Sequence, residues 1–328
     1  HPHPGAGLNA SDHAPDPAAT DPANRVIAIV NPTAGRGLGR KAFVQLRELL
    51  PRQCDDSELY LSHEPGFARD LLQGLPLPPG TTVIAAGGDG TVHEVASALL
   101  GRDGVRLGVI SVGTGNDVAA QLGMPGSVPE DLRAILNGVA LPWDVGVLGS
   151  PHFFNSVGFA LSADTCWWSH QTTRLRGFLR YASGVGRAWW HYHPAVVGLD
   201  GTHWSGRRRI AYLEIAVGNR VGGGYRVPAR AVVDDGLLDV CALEGISRWP
   251  LLPLAAKARA GRHLGHPAVH YEQIASFRLS VDHPTRIHVD GEITELPQGE
   301  HSVKVKPRAL SLIVAPGHPR TQGARAVP

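Results

Sequence analysis

The densest chemistry in the sequence lies in Ala85-Ala86-Gly87-Gly88-Asp89-Gly90-Thr91-Val92-His93-Glu94. A short apolar run passes through three glycines and an acid, then straight into an amphipathic stretch. Glycines let main-chain N–H groups approach a bound anion. A helix start adds free N–H donors and the positive end of a dipole. Together they make a cradle for phosphate. Asp89 would repel a phosphate unless a cation lay between them, which points to Mg2+. A strand-to-helix turn closed by a Thr91-x-x-Glu94 capping box accounts for the same residues without any ligand. The device recurs twice. Asn31-Pro32-Thr33-Ala34-Gly35-Arg36-Gly37 follows the apolar run 25–30, and Gly113-Thr114-Gly115-Asn116-Asp117 follows the run 107–111. Either loop alone is a weak signal. Three of them at the carboxyl ends of successive strands mark the edge where open α/β sheets bind ligands.

A second constellation lies near the end of the chain. In Thr285–Glu292, Ile287 and Val289 point one way, and His288, Asp290 and Glu292 point the other. That is the pattern of a half-exposed strand. It is also a place for a carboxylate that takes the proton from an attacking hydroxyl. Asp234-Asp235-Gly236, taken on its residues alone, reads as a hairpin turn.

The elements that must position these groups change character once along the chain. RVIAIV (25–30), TVIAA (82–86), LGVIS (107–111) and WDVGVL (143–148) read as buried strands. Between them, Phe43, Leu46 and Leu50, and then Val92, Val95, Ala96 and Leu99, recur at helical spacing. Strand alternating with helix predicts a parallel sheet covered on both faces. From about 150 strand signals dominate (FFNSV, AVVGL, RIAYLEIAV, LLDVCAL, ASFRLSV, RIHVD, VKVK, LSLIV), which predicts an antiparallel sandwich or barrel. Helical stretches interrupt it at roughly 170–190 and 249–262. The expected organisation is a tail over 1–24, an α/β nucleotide-binding domain over 25–145, a β-rich domain over 146–315 whose last strand returns to the first domain, and a tail over 316–328.

Composition bounds the rest. The chain has 328 residues, 43% hydrophobic and 18% charged, with a net charge of +2, so bulk charge gives no sign of a nucleic-acid partner. None of the four lysines lies in a Walker A loop, and no glycine loop matches G-x-G-x-x-G. No apolar run approaches membrane-spanning length. Cys54, Cys166 and Cys241 are scattered and odd in number, which fits a reducing cytosol rather than a disulfide framework.

Gly87-Gly88-Asp89-Gly90-Thr91 resembles the G-G-D-G-T signature shared by diacylglycerol, sphingosine and NAD kinases. NPTAG (31–35) resembles the N-P-x-x-G opening of the lipid-kinase branch, and GTGNDVAAQLGMP (113–125) its G-T-x-N-D-x-A stretch. Gly218-Asn219, Gly222-Gly223-Gly224, Pro228-Ala229, DDGLLDV (234–240) and Asp290-Gly291-Glu292 follow in the order of the second domain. The chain thus resembles the diacylglycerol kinase catalytic-domain family over about 25–315, in particular its soluble bacterial YegS/DgkB-like lipid kinases. The resemblance implies an ATP- and Mg2+-dependent kinase that phosphorylates a lipid hydroxyl at a membrane surface, diacylglycerol first among them. It implies that Asn31, Gly35, Gly87, Gly88, Asp89, Gly90, Thr91, Glu94, Gly113, Thr114, Asn116 and Asp117 line the nucleotide and metal site, with Ser62 as a further nucleotide contact. It implies that Asp235, with the carbonyls of Val232 and Leu237, holds a structural Mg2+. It makes Asp290 the general base, with Glu292 as alternate or orienting partner.

Some positions depart from the pattern: Ser111 replaces a Pro, Ala34 a small polar residue, and His93 stands where Asn is common. Phe67 replaces a polar residue, which puts a metal–water contact from its loop in doubt. Five of the seven tryptophans lie in 167–204 among Arg174, Arg176, Arg180 and Arg187. They either fill the core of the second domain or dock it peripherally on a bilayer. Two rivals stay open at this point, a kinase of a soluble substrate such as NAD and a non-catalytic nucleotide sensor on membranes. A second copy of the chain also stays open as a partner.

Overall fold

A computed structural model describes residues 25–113, 115–172, 175 and 177–321. Thr114, Arg174, Arg176 and the tail over 1–24 lie outside the described residues, as does the tail beyond 321.

The first half alternates as its periodicity predicts: β1 (Val26–Val30), α1 (Leu38–Gln53), β2 (Ser57–Leu61), α2 (Phe67–Gly74), β3 (Thr82–Gly87), α3 (Asp89–Leu99), β4 (Arg106–Ser111), α4 (Asp117–Gln121) and α5 (Val128–Leu136). The strands run parallel in the order β2-β1-β3-β4. Every residue of β1 and β3 is buried, because helices cover both faces of the sheet. α1 packs with α5 and α2 with α3. With all strands parallel, the loops after β1, β3 and β4 emerge at one edge.

The second half contributes β5 (Val139–Leu148), β6 (His152–Phe153), β7 (Ser156–Ala160), α6 (Leu161–Gln171), α7 (Gly177–Trp190), β8 (Ala195–Asp200), β9 (Gly206–Ala216), β10 (Leu238–Glu244), α8 (Leu251–Arg259), β11 (Val269–Ile274), β12 (Ser276–Val281), β13 (Thr285–Val289), β14 (Glu292–Leu296) and β15 (Gly299–Val314). The helix expected over 170–190 divides into α6 and α7 and begins earlier, at Leu161. FFNSV is not one strand: Phe154 and Asn155 separate β6 from β7. VKVK and LSLIV, read as two strands, are one 16-residue strand, β15. The ladder to β5 shifts register between Lys306 and Leu310. Pro307 has no N–H to give there, and Arg308 takes a φ of 52°. Buried Asp144 holds this bulge by accepting the Arg308 N–H at 2.7 Å. Its other oxygen accepts the Gly236 N–H at 2.7 Å.

β15 joins the halves. It pairs antiparallel with β12 and β5 and, at Leu312, parallel with β4 at Leu107. The sheet is therefore continuous through all fifteen strands. Residues 145–146, the expected boundary between the two domains, lie inside β5.

Candidate active site

The three glycine loops meet above the carboxyl edge of the parallel sheet, on one wall of a cleft of about 770 Å³. Asn31 ties two of them together. Its Oδ1 accepts the Thr33 N–H and hydroxyl at 2.9 and 2.7 Å, and its Nδ2 donates to Thr91 Oγ1 at 3.2 Å. Thr91 is therefore not a helix cap. It sits buried inside α3, whose N-cap is Gly88, and Glu94 reaches instead to accept the Ala68 N–H at 2.8 Å. The capping-box reading fails, and α3 opens with its N–H groups free of side-chain capping.

The loops after β3 and β4 touch backbone to backbone. A Cβ on Gly113 would stand 2.3 Å from Gly88 Cα, so only glycine permits the approach. Gly35, with a φ of 56°, is held as tightly: a Cβ there would meet Val112 O at 2.2 Å. Gly87 lies buried over Thr91, and Ser62 lines the same wall. Asn116 takes a left-handed φ of 54° and locks its own loop, accepting the Gly113 N–H at 2.9 Å and donating to Gly113 O at 3.1 Å. Ser111 has a role its family Pro could not fill. Its N–H and hydroxyl donate to buried Asp131 at 2.9 and 3.1 Å.

Two acids stand where these loops converge. Asp89 and Asp117 flank Gly115. Asp117 also accepts the N–H groups of Gly223 and Gly224, both at 2.9 Å, which brings the late G-G-G stretch against the first-domain loop. Burial, and then repulsion from Asp117, push the Asp89 carboxyl up to about 7. Burial likewise pushes Asp117 up to about 6. A cation between them would favour both charged forms and so offset the cost of burying them. Among the described residues no three His, Cys, Asp or Glu side chains form a metal cage, so phosphate oxygens, backbone carbonyls or water must complete any coordination.

The facing wall comes from the β13–β14 turn. His288, Asp290 and Glu292 all line the cleft, as their alternation predicts. Asp290 has a φ of 49° and a buried carboxylate with four partners. Oδ1 accepts the N–H groups of Asn155 and Ser156 at 2.8 and 2.9 Å, and Oδ2 accepts that of Phe154 at 2.8 Å and meets His93 Nδ1 at 2.7 Å. Glu292 is exposed, with no hydrogen-bond partner for its carboxylate among the described residues. A Cβ on Gly90 would lie 2.8 Å from Glu292 Oε1, so the hairpin closes directly over the start of α3.

Beneath the hairpin lies a network the sequence reading missed. Glu214 is fully buried and accepts the Ser162 and Tyr212 hydroxyls at 2.6 and 2.7 Å. His288 Nε2 is 2.9 Å from Ser162 Oγ and 3.4 Å from Glu214 Oε1. Burial alone would raise the Glu214 carboxyl, but the charge and hydrogen bond of His288 outweigh it and lower it. Tyr212 and Glu214 share one strand face, a period-two signal that was available in the sequence.

Two further positions singled out in the sequence lie away from the cleft. Phe67 opens α2 and packs against the core, leaving Ser62, His63, Glu64 and Pro65 to form that part of the wall. Asp235 lies in a turn away from the cleft, its Oδ1 accepting the Leu237 N–H at 3.0 Å.

Comparison with known proteins agrees with this architecture. The diacylglycerol kinase catalytic-domain model matches residues 25–148, and the YegS C-terminal NAD kinase beta sandwich-like domain model matches 155–314. The chain belongs to the diacylglycerol kinase catalytic-domain family and is by that membership an enzyme of the lipid-kinase class. Diacylglycerol kinase of Bacillus subtilis (strain 168) is 27% identical over 282 residues, covering 84% of this chain and 92% of its own. Diacylglycerol kinase of Staphylococcus aureus (strain JH9) is 26% identical over 277 residues, covering 82% and 86%. A solved diacylglycerol kinase structure from Bacillus anthracis str. Sterne shares the fold at a TM-score of 0.66, with 19% identity over 89% of this chain and 97% of its own.

Proposed function

We propose that the protein transfers the terminal phosphate of ATP, as its Mg2+ complex, to the hydroxyl of diacylglycerol or a closely related lipid at a membrane surface. The observation that carries this reading is the meeting of two sets of groups across one cleft. Glycine loops and the Asp89–Asp117 pair form one wall, and the Asp290–Glu292 hairpin forms the other.

The residues present fit a nucleotide. The uncapped start of α3 and the close-packed loops at Gly35 and Gly88 offer main-chain N–H groups to phosphate oxygens. Asn31 and Ser62 stand at the rim of the same wall. Asp89, with Asp117 behind it, fits the divalent cation. That cation, when bound, offsets the phosphate charge that builds on the transferred group. Asp290 receives the proton of the acceptor hydroxyl. Three of its four bonds are to fixed backbone N–H groups and hold the carboxylate in place; the fourth, to His93, is the one that can yield. Glu292 is the alternate acceptor, its oxygens being free. A structural Mg2+ at Asp235 would need the carbonyls of Val232 and Leu237 together with water, since Asp235 is the single carboxylate of that set.

Calorimetric titration with ATP, with and without Mg2+, followed by transfer of labelled phosphate to a mixed bacterial lipid extract, tests the reading. Binding that needs Mg2+ and label entering the organic phase are expected. Binding indifferent to Mg2+, with no label in lipid, contradicts it.

A further inference from the structure

Two stretches of the chain contain no acid at all. Residues 165–199 and 245–271 hold eight Arg and Lys and not one Asp or Glu, leaving 23 basic against 29 acidic residues in the remainder. A chain of net charge +2 is therefore strongly divided, positive in these stretches and negative elsewhere. The fold brings the end of the first stretch against the second where α7 ends on the turn that opens α8.

At that junction stands an aromatic cluster. The Arg248 guanidinium lies 5.5–5.9 Å from the ring centres of Trp189, Trp190 and Trp249. Trp189 Nε1 donates to Arg248 O at 2.7 Å, and Arg248 Nη1 donates to Trp190 O at 3.3 Å, so the cluster is held rigidly. Trp189 is half-buried, but Trp190 is 65% and Trp249 67% exposed, and Leu252 on the next turn is 43% exposed. Indoles left this open to water, beside a stacked cation and with no acid in either stretch, suit a headgroup layer: the rings sit at the interface while cations meet lipid phosphates. α7 also links this face to the cleft. Arg180 and Tyr181 line the cleft, and Trp190 lies about 15 Å further along the same helix.

We propose that the face formed by the end of α7, the Arg248–Pro250 turn and α8 docks the protein on an anionic phospholipid bilayer. The charge division and the exposed indoles stand by themselves; the use of the face, to bring the cleft to a bilayer-borne acceptor, rests on the lipid-kinase reading.

Vesicles of phosphatidylcholine alone, and of phosphatidylcholine with about one third phosphatidylglycerol, distinguish charge-driven docking from general stickiness. The full chain should sediment with the anionic vesicles, with a blue shift of tryptophan emission, and should stay in solution with the neutral ones. Trp190→Ala/Trp249→Ala and Arg248→Glu should each weaken anionic-vesicle binding by roughly tenfold or more. These variants leave half-buried Trp189 in place, and they should keep wild-type turnover on a short-chain diacylglycerol presented as monomer. Equal binding by the variants, or equal binding of the wild type to both vesicle types, overturns the proposal while leaving the kinase reading standing. Retention on a DNA matrix as tight as on anionic vesicles overturns the bilayer as occupant. Failure to phosphorylate even the short-chain acceptor defeats the kinase reading, and vesicle partition still decides the face.

Discussion

His93 Nδ1 lies 2.7 Å from Asp290 Oδ2, a contact between the first turns of α3 and the β13–β14 turn that spans the two halves of the chain. Among the described residues it is the one side-chain partner of a carboxylate otherwise held by backbone N–H groups. The two residues are 197 positions apart, and nothing in the local pattern of either segment announces the pairing.

This pair predicts the pH dependence of turnover. Burial alone would lower the His93 pKa, but the hydrogen bond and charge of Asp290, with Glu292 and Glu94 beyond, raise it above 6.5. On its other side the His93 ring meets the Phe154 ring edge-on at 5.2 Å, and beyond it burial, then the charges of Lys306 and His93, lower the His152 pKa. While His93 is charged it binds the Asp290 lone pair; once neutral it releases Asp290 to take a proton. Turnover should therefore rise with pH through a pKa above 6.5, and His93→Asn, which keeps a donor but cannot titrate, should lose that limb. An unchanged pH–rate profile in the variant would separate His93 from the reaction. The stability contribution has the opposite sense: it is complete below the unfolded histidine pKa and fades as pH rises through the raised folded value.

Asp89→Asn should separate binding from folding. The Asp89 pKa is raised to about 7, so the charged carboxylate disfavours the ligand-free fold, and stability should grow as pH falls through that value. The amide removes the charge. Differential scanning fluorimetry should show a higher Tm without ligand at pH 8 and a smaller Tm rise on adding Mg2+ and ATP. An undiminished ligand-induced rise would take Asp89 out of the metal site.

Gly113→Ala should damage the nucleotide wall. The added methyl meets Gly88 Cα at 2.3 Å, a backbone atom that cannot swing aside. We expect a loss of about 1–3 kcal/mol in stability and weaker ATP binding, measured by denaturant titration and calorimetry. Unaltered ATP affinity would show that these two loops do not form the phosphate cradle.

Glu214→Ala should cost about 3–5 kcal/mol, because it strands buried His288 and leaves the Ser162 and Tyr212 hydroxyls without their acceptor. Chemical denaturation measures it. A loss below about 1 kcal/mol would mean that the network does not support the hairpin.

Much of this arrangement was legible in the chain. The parallel strands were read from uninterrupted burial-type runs, and the glycine loops from their place after those runs. His288, Asp290 and Glu292 were assigned to one face by alternation alone, and the cleft contains all three. What stayed hidden depends on long-range contact. Thr91 and Glu94 looked like a local capping box, yet Thr91 is partnered by Asn31 in the loop after β1 and Glu94 by the first turn of α2. The 16-residue β15 looked like two strands because Pro307 breaks the pattern, and only the buried acceptor Asp144 explains how the chain passes through it. Glu214 looked like one polar residue in an apolar strand: Tyr212 beside it is legible by alternation, but Ser162 and His288 come from distant places in the sequence.

The most direct test is transfer of labelled terminal phosphate from ATP with Mg2+ to diacylglycerol, sphingosine, mixed lipid extract and NAD, with wild type beside Asp290→Asn and Glu292→Gln. We predict label in diacylglycerol for the wild type, a fall of roughly 10²–10⁴ for Asp290→Asn with ATP affinity retained, and a smaller fall for Glu292→Gln. Label on NAD alone, or nucleotide bound with no acceptor labelled, would contradict the lipid assignment. Asp290→Asn turnover within about threefold of wild type would remove Asp290 from proton transfer.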